Sequence, residues 1–99
     1  MTAAPGWFER RTAGAPEALR SRAASFLGQA PAGAGWASQL AAAAGLALES
    51  TLRQGGDRST ALDLLTADGL LTLALLAEAE EAPDRLESFA ADIVSAASA

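Results

Sequence analysis

Apolar positions recur at helical spacing in four stretches of the chain, separated by glycine and proline. Leu19, Ala23, Phe26 and Leu27 fall at i, i+4, i+7 and i+8 and predict a helix over Pro16–Gly28. Pro16 suits a first helical position, Glu17 favours the positive N-terminal end, and Gly28 is a natural stop. Residues 29–35, with Pro31, Gly33 and Gly35, read as a linker. A second helix is expected over Trp36–Gln54, ended by Gly55 and Gly56. Within it Ala37, Ala41 and Gly45 recur every four residues, a ridge without side-chain bulk that lets another helix come close. That ridge reads either as a contact inside the chain's own bundle or as a dimer seam.

The third helix is expected over Ser59–Glu81, capped through Thr60 and Asp63 or by Asp57. Leu62, Leu65, Gly69, Thr72 and Leu76 follow the 3–4–3–4 spacing of a coiled-coil seam. Leu64, Leu71 and Leu75 cover a second face, and Leu70 and Leu73 a third. Only the sector with Asp63, Ala67, Ala74 and Glu81 lacks large apolar side chains. A helix apolar nearly all round is expected at the centre of its fold, buried by several neighbours. Pro83 opens the last helix, whose Leu86, Phe89, Ala90 and Ile93 share a face. No stretch alternates as a strand would.

Residues 1–15 read as a flexible N-terminal arm and 16–99 as a single domain. Trp7 and Phe8 sit within that arm, and large aromatics are costly to expose, so they are expected to dock on the domain or on a partner. The sequence thus predicts an all-α fold: a small four-helix bundle with a central leucine-rich third helix, assembled as an oligomer. Short, alanine-rich neighbours are too slight to cover that helix, which is why a homodimer or another protein partner is expected.

Composition narrows the chemistry. Among 99 residues, 51% are apolar but only 5% aromatic, because alanine and leucine dominate. There is no Cys, His, Lys, Tyr or Asn. Without Cys or His, the usual zinc, haem and iron–sulfur ligand sets cannot be assembled, nor can a Ser–His or Cys–His nucleophile pair. No cofactor is therefore expected. The net charge of −5 is unevenly spread: six of the seven arginines precede Ser59, and eight of the twelve acids follow Arg58. Arg10, Arg11, Arg20 and Arg22 form the one basic cluster. An acidic chain without lysine is a poor match to a phosphate backbone, so no nucleic-acid partner is expected. The longest uncharged apolar stretch, Gly69–Ala77, falls short of the roughly 20 residues that span a bilayer. Met1–Gly6 has no basic start followed by an apolar run. A cytoplasmic protein without a membrane span is the expectation.

The candidate polar constellation is Asp63, Asp68 and Thr72. Asp68 is flanked on the wheel by leucines on both sides, so an ionised carboxylate there would need a partner. Arg20, Arg22, Arg53 or the Trp36 indole could provide one. It reads as a buried polar contact fixing register, or as a ligand anchor or general acid/base with raised pKa. Glu78, Glu80 and Glu81 could supply a carboxylate-only Mg²⁺ site, though a charge run at a helix end is usually just solvated. The turn Gly55–Ser59 lacks the phosphate-loop pattern.

The run from Leu64 to Ala74, with Ala67, Asp68, Gly69, Leu70 and Leu71 at its centre, resembles an interior helix of trans-prenyl diphosphate synthases, which carry an Ala/Gly-Asp-x-Leu-Leu run. The aspartate-rich motifs with which that family holds diphosphate through Mg²⁺ are missing, so no function is carried over. The expected function is a helical interaction or accessory protein that self-associates or docks a partner. Its candidate interface residues are Ala37, Ala41, Gly45, Leu62, Leu65, Gly69, Leu76, Trp7 and Phe8. A bundle enclosing an apolar isoprenoid or acyl ligand, with Asp68, Thr72 and Trp36 as its polar contacts, is the second reading. A small enzyme using Asp68 ranks last.

Overall fold

The computed structural model describes residues 6–31 and 35–98. Among them the chain is all helical: α1 (Trp7–Arg11), α2 (Glu17–Gln29), α3 (Trp36–Arg53), α4 (Arg58–Glu81), a 3₁₀ turn (Pro83–Arg85) and α5 (Leu86–Ser98). The breaks have local causes. The first long helix runs past Gly28, and its end follows from Pro31. Proline disfavours the helical conformation in the residue before it, and Ala30 is extended at φ −74° and ψ 140°. Between α3 and α4, Gly56 adopts φ +86°, a conformation that L side chains rarely take. Asp57 then caps α4, accepting from the Thr60 backbone N–H at 3.0 Å and from its hydroxyl at 3.2 Å. Asp57 is thus the cap, and Asp63 is spent elsewhere. The Thr60 N–H, its largest influence, holds the Asp57 carboxyl below its ordinary value.

α3 and α4 form the most extensive pairing, with α2 packed on both and α5 on α4. The α3–α4 core is made largely of alanine. Ala37, Leu40, Ala43, Ala44 and Ala47 of α3 meet Ala67, Leu70, Ala74 and Ala77 of α4, and Ala23 and Leu27 of α2 complete the cluster. Each row repeats every three or four residues, the spacing of one helix face. Small side chains on both partners bring the backbones close, which recovers in dispersion contacts some of what alanine lacks in apolar area.

α4 is not buried on all sides, as its ring of leucines led one to expect. The small-residue sector with Asp63, Ala67 and Ala74 faces inward, while Leu64 and Leu65 are 53% and 55% exposed. Leu62, Leu71, Leu73, Leu75 and Leu76 are half-buried. The bulkless ridge of α3 is only partly covered within the chain: Ala37 is buried, Ala41 half-buried and Gly45 exposed, with nothing within 4 Å of a Cβ built on it. α5 has no fully buried residue among those described.

Part of the expected N-terminal arm is folded onto the domain. Trp7 is 8% exposed, its ring edge-on to Trp36 at 5.8 Å between centroids and 83° between planes. Its indole N–H donates to Glu80 Oε1 at 3.1 Å. Arg11 pairs with the same carboxylate and stacks its guanidinium 5.5 Å from the Trp7 ring centroid. Phe8 is half-buried against the same core. Residues 1–5 of the expected arm, and 32–34 of the expected linker, lie outside the described residues.

Candidate functional site

Two features of α4 stand out. The first is a buried polar knot on its inner face. Asp63 is 1% exposed and accepts from Arg22 Nη1 at 2.6 Å, from Ser50 Oγ at 2.6 Å and from Gln54 Nε2. Gln54 also donates to Ser50 Oγ at 2.8 Å. Ser50 lies in the last turn of α3 and Gln54 is the residue that caps its end, while Arg22 reaches in from α2, so one carboxylate ties three helices together. Burial by itself raises the Asp63 pKa. The hydrogen bonds from Ser50, Arg22 and Gln54, with the charge of Arg22, outweigh it and hold the carboxyl below its ordinary value. A carboxylate kept ionised and fully engaged neither donates nor accepts a proton near neutral pH, so the knot is a structural pin.

The polar group expected at Asp68 is therefore found at Asp63. Asp68 is exposed, five residues further on and turned away from the core. Thr72 is exposed too and donates to the Asp68 carbonyl at 3.0 Å, a bond within its own helix. Trp36 does not reach Asp68. It packs on Trp7, and its Nε1 is buried with no hydrogen-bond partner. The structure thus does not bring Asp68, Thr72 and Trp36 together. The signal for Asp63 was present in sequence as its place among Ala67 and Ala74, the face that an alanine-lined α3 can approach. Among the described residues no three acidic side chains converge as metal ligands. Glu78 is buried, and Glu80 is occupied by Trp7 and Arg11.

The second feature is the outward face of α4. Leu65, Gly69 and Thr72 are exposed, Leu62 and Leu76 half-buried, and all five lie within about 80° of one another on the helix. Leu64 adds to the surface, and Leu52 at the end of α3 is 77% exposed. Asp68 is the one charged group along the central part of this face. Between α4 and α2 lies a groove of about 100 Å³ lined by Leu19, Ala23, Leu65, Gly69, Leu70 and Leu73, with Arg20 beside them. Arg20 pairs with Glu17 at 2.7 Å, while its Nε is buried without a partner. By length and composition α4 could cross a membrane, with a mean hydropathy of 1.6 in its most apolar window, of which 28% is buried.

Fold and surface together define a class: an all-α chain with a largely alanine core and exposed leucines on its longest helix. Compared with protein-family models, curated proteins and solved structures, the chain matches none.

Proposed function

We propose that this chain is a small, non-enzymatic interaction protein, a helical bundle that docks a protein partner through the outward face of α4. The observation that carries this reading is the exposure of Leu64 and Leu65, both more than half open on a helix whose most apolar window has a mean hydropathy of 1.6. Contiguous leucine surface on a small domain is costly in water and is stabilised by being covered.

Other occupants fit the surface less well. Bilayer insertion would carry Asp68 into hydrocarbon on the face that no neighbouring helix covers, and would do so without a partner. An isoprenoid or acyl ligand calls for a cavity of roughly 300 Å³ or more. The groove of about 100 Å³ suits a single side chain. The basic cluster is partly neutralised within the chain, Arg11 by Glu80, Arg20 by Glu17 and Arg22 by Asp63, which weighs against nucleic acid. We take the cytoplasm as the compartment.

A photo-crosslinking residue placed at Leu65 in living cells tests the reading. Covalent adducts of defined protein mass are expected from position 65 and not from exposed Ala91 on α5. No adduct, or adducts to lipid alone, would overturn it.

A further inference from the structure

We infer that the occupant of this face is a second copy of the chain, its α4 laid antiparallel across the first with a twofold axis at Gly69. The inference rests on the reading of α4 as a docking surface and specifies what docks there.

The register follows from the residues on the face. In an isologous antiparallel pair, a residue a given number of positions before Gly69 meets the one that many positions after it. Leu62 then meets Leu76, Leu65 meets Leu73, and Gly69 meets itself at the crossing point. The same rule sets Arg58 opposite Glu80. Arg58 is exposed at the N-terminal end of the seam and makes no ion pair with another described residue. Glu80, at the other end, is exposed and already draws Arg11 and Trp7. A parallel pair would set Arg58 against Arg58 and Glu80 against Glu80. Charge therefore favours the antiparallel arrangement through Arg58, which a parallel pair would set against its own copy, while Glu80 is shared with Arg11 of its own chain.

Shape agrees with charge at the centre. Leu65, Gly69 and Leu73 stand at i, i+4 and i+8, a ridge with a notch in its middle. Nothing lies within 4 Å of a Cβ built on Gly69, so the notch is open to an approaching helix. The groove between α2 and α4 begins at this notch and has room for one leucine side chain. The twofold axis makes the insertion reciprocal, each copy offering a leucine and a groove. A single helix pair of this length sits at the small end of stable interfaces, so dissociation in the micromolar range is expected.

The experiment uses the full chain. Light scattering across a concentration series should give a mass rising from 10.0 kDa to twice that. Gly69→Trp puts bulk into the notch at a position where the added Cβ meets nothing in the single chain, and should return the mass to monomer with the helical circular dichroism unchanged. The chain has no cysteine, so introduced thiols report geometry without interference. Chains with Leu62→Cys mixed with chains with Leu76→Cys should form mixed disulfides. Leu62→Cys alone should not dimerise covalently, because its two thiols would lie roughly 20 Å apart. A monomer at every concentration, a dimer indifferent to Gly69→Trp, or self-linking of Leu62→Cys would each overturn the inference. A monomer that still gives protein adducts from position 65 would leave the docking reading standing. A monomer without such adducts would end both.

Discussion

Asp63→Ala is the substitution that tests most directly how the fold is held together. The carboxylate is nearly inaccessible and receives hydrogen bonds from Arg22, Ser50 and Gln54, whose donors sit on two other helices. Truncation leaves the Ser50 hydroxyl without an acceptor, Gln54 with only its bond to Ser50 and Arg22 with only its bond to Ser59. Breaking a buried ion pair by removing one partner costs about 3–5 kcal/mol. Here the orphaned charge is Arg22, whose side chain is 34% exposed and can turn to water. That relief moves the expected cost to the lower end, about 3 kcal/mol. Small domains have stabilities of about 5–15 kcal/mol, so the variant should remain folded but visibly weakened. Urea unfolding at neutral pH would measure it: with a slope of about 1.5 kcal/mol per molar, the midpoint should fall by about 2 M. Asp68→Ala serves as the control and should stay within about 0.5 kcal/mol of the parent, since Asp68 is exposed. The pH dependence supplies an independent check. Asp63 titrates lower when folded than when unfolded, so its contribution is fully present above the unfolded carboxyl pKa. It is lost as pH falls through the folded value, and Asp63→Asn should flatten that acid limb. A cost under about 1 kcal/mol, or an acid limb unchanged in Asp63→Asn, would refute the pin.

Two further predictions concern other parts of the fold. Gly45→Ala should stabilise by about 0.5–1 kcal/mol, because the position is helical, exposed and has nothing near the added methyl. Thermal melts should show a rise of a few degrees, and a fall would mean that α3 is not open there. Trp7→Ala removes the edge contact with Trp36, the bond to Glu80 and the stacking of Arg11, at an expected cost of about 3 kcal/mol in urea unfolding. Unchanged stability would show that the N-terminal turn contributes nothing to the domain.

The positions of the helices were legible in the sequence, and their orientation was not. Pro16, Pro31, the Gly55–Gly56 pair and Pro83 act locally, so the breaks fall close to where they are expected. The inner face of α4 depends on its neighbour. Leucines surround α4 so evenly that apolar periodicity has no strong direction and does not say which side faces its neighbour. The direction is decided by α3, where Ala37, Leu40, Ala43, Ala44 and Ala47 present a surface that a small-residue face can approach most closely. Asp63 lies on that same face, which explains why the polar anchor appears there while Asp68, between leucines in sequence, is exposed. The same choice accounts for the candidate surface. Once the alanine sectors of α3 and α4 pair, the leucines of α4 are left with only α2 and α5 to cover them, and α5 contributes no fully buried side chain. Apolar area that a single chain cannot bury by any rotation of α4 must either remain in water or be covered from outside. Turning the leucines inward would carry Asp63 out of reach of Arg22, Ser50 and Gln54 and separate the alanine faces. The core and the exposed seam are thus consequences of one packing decision.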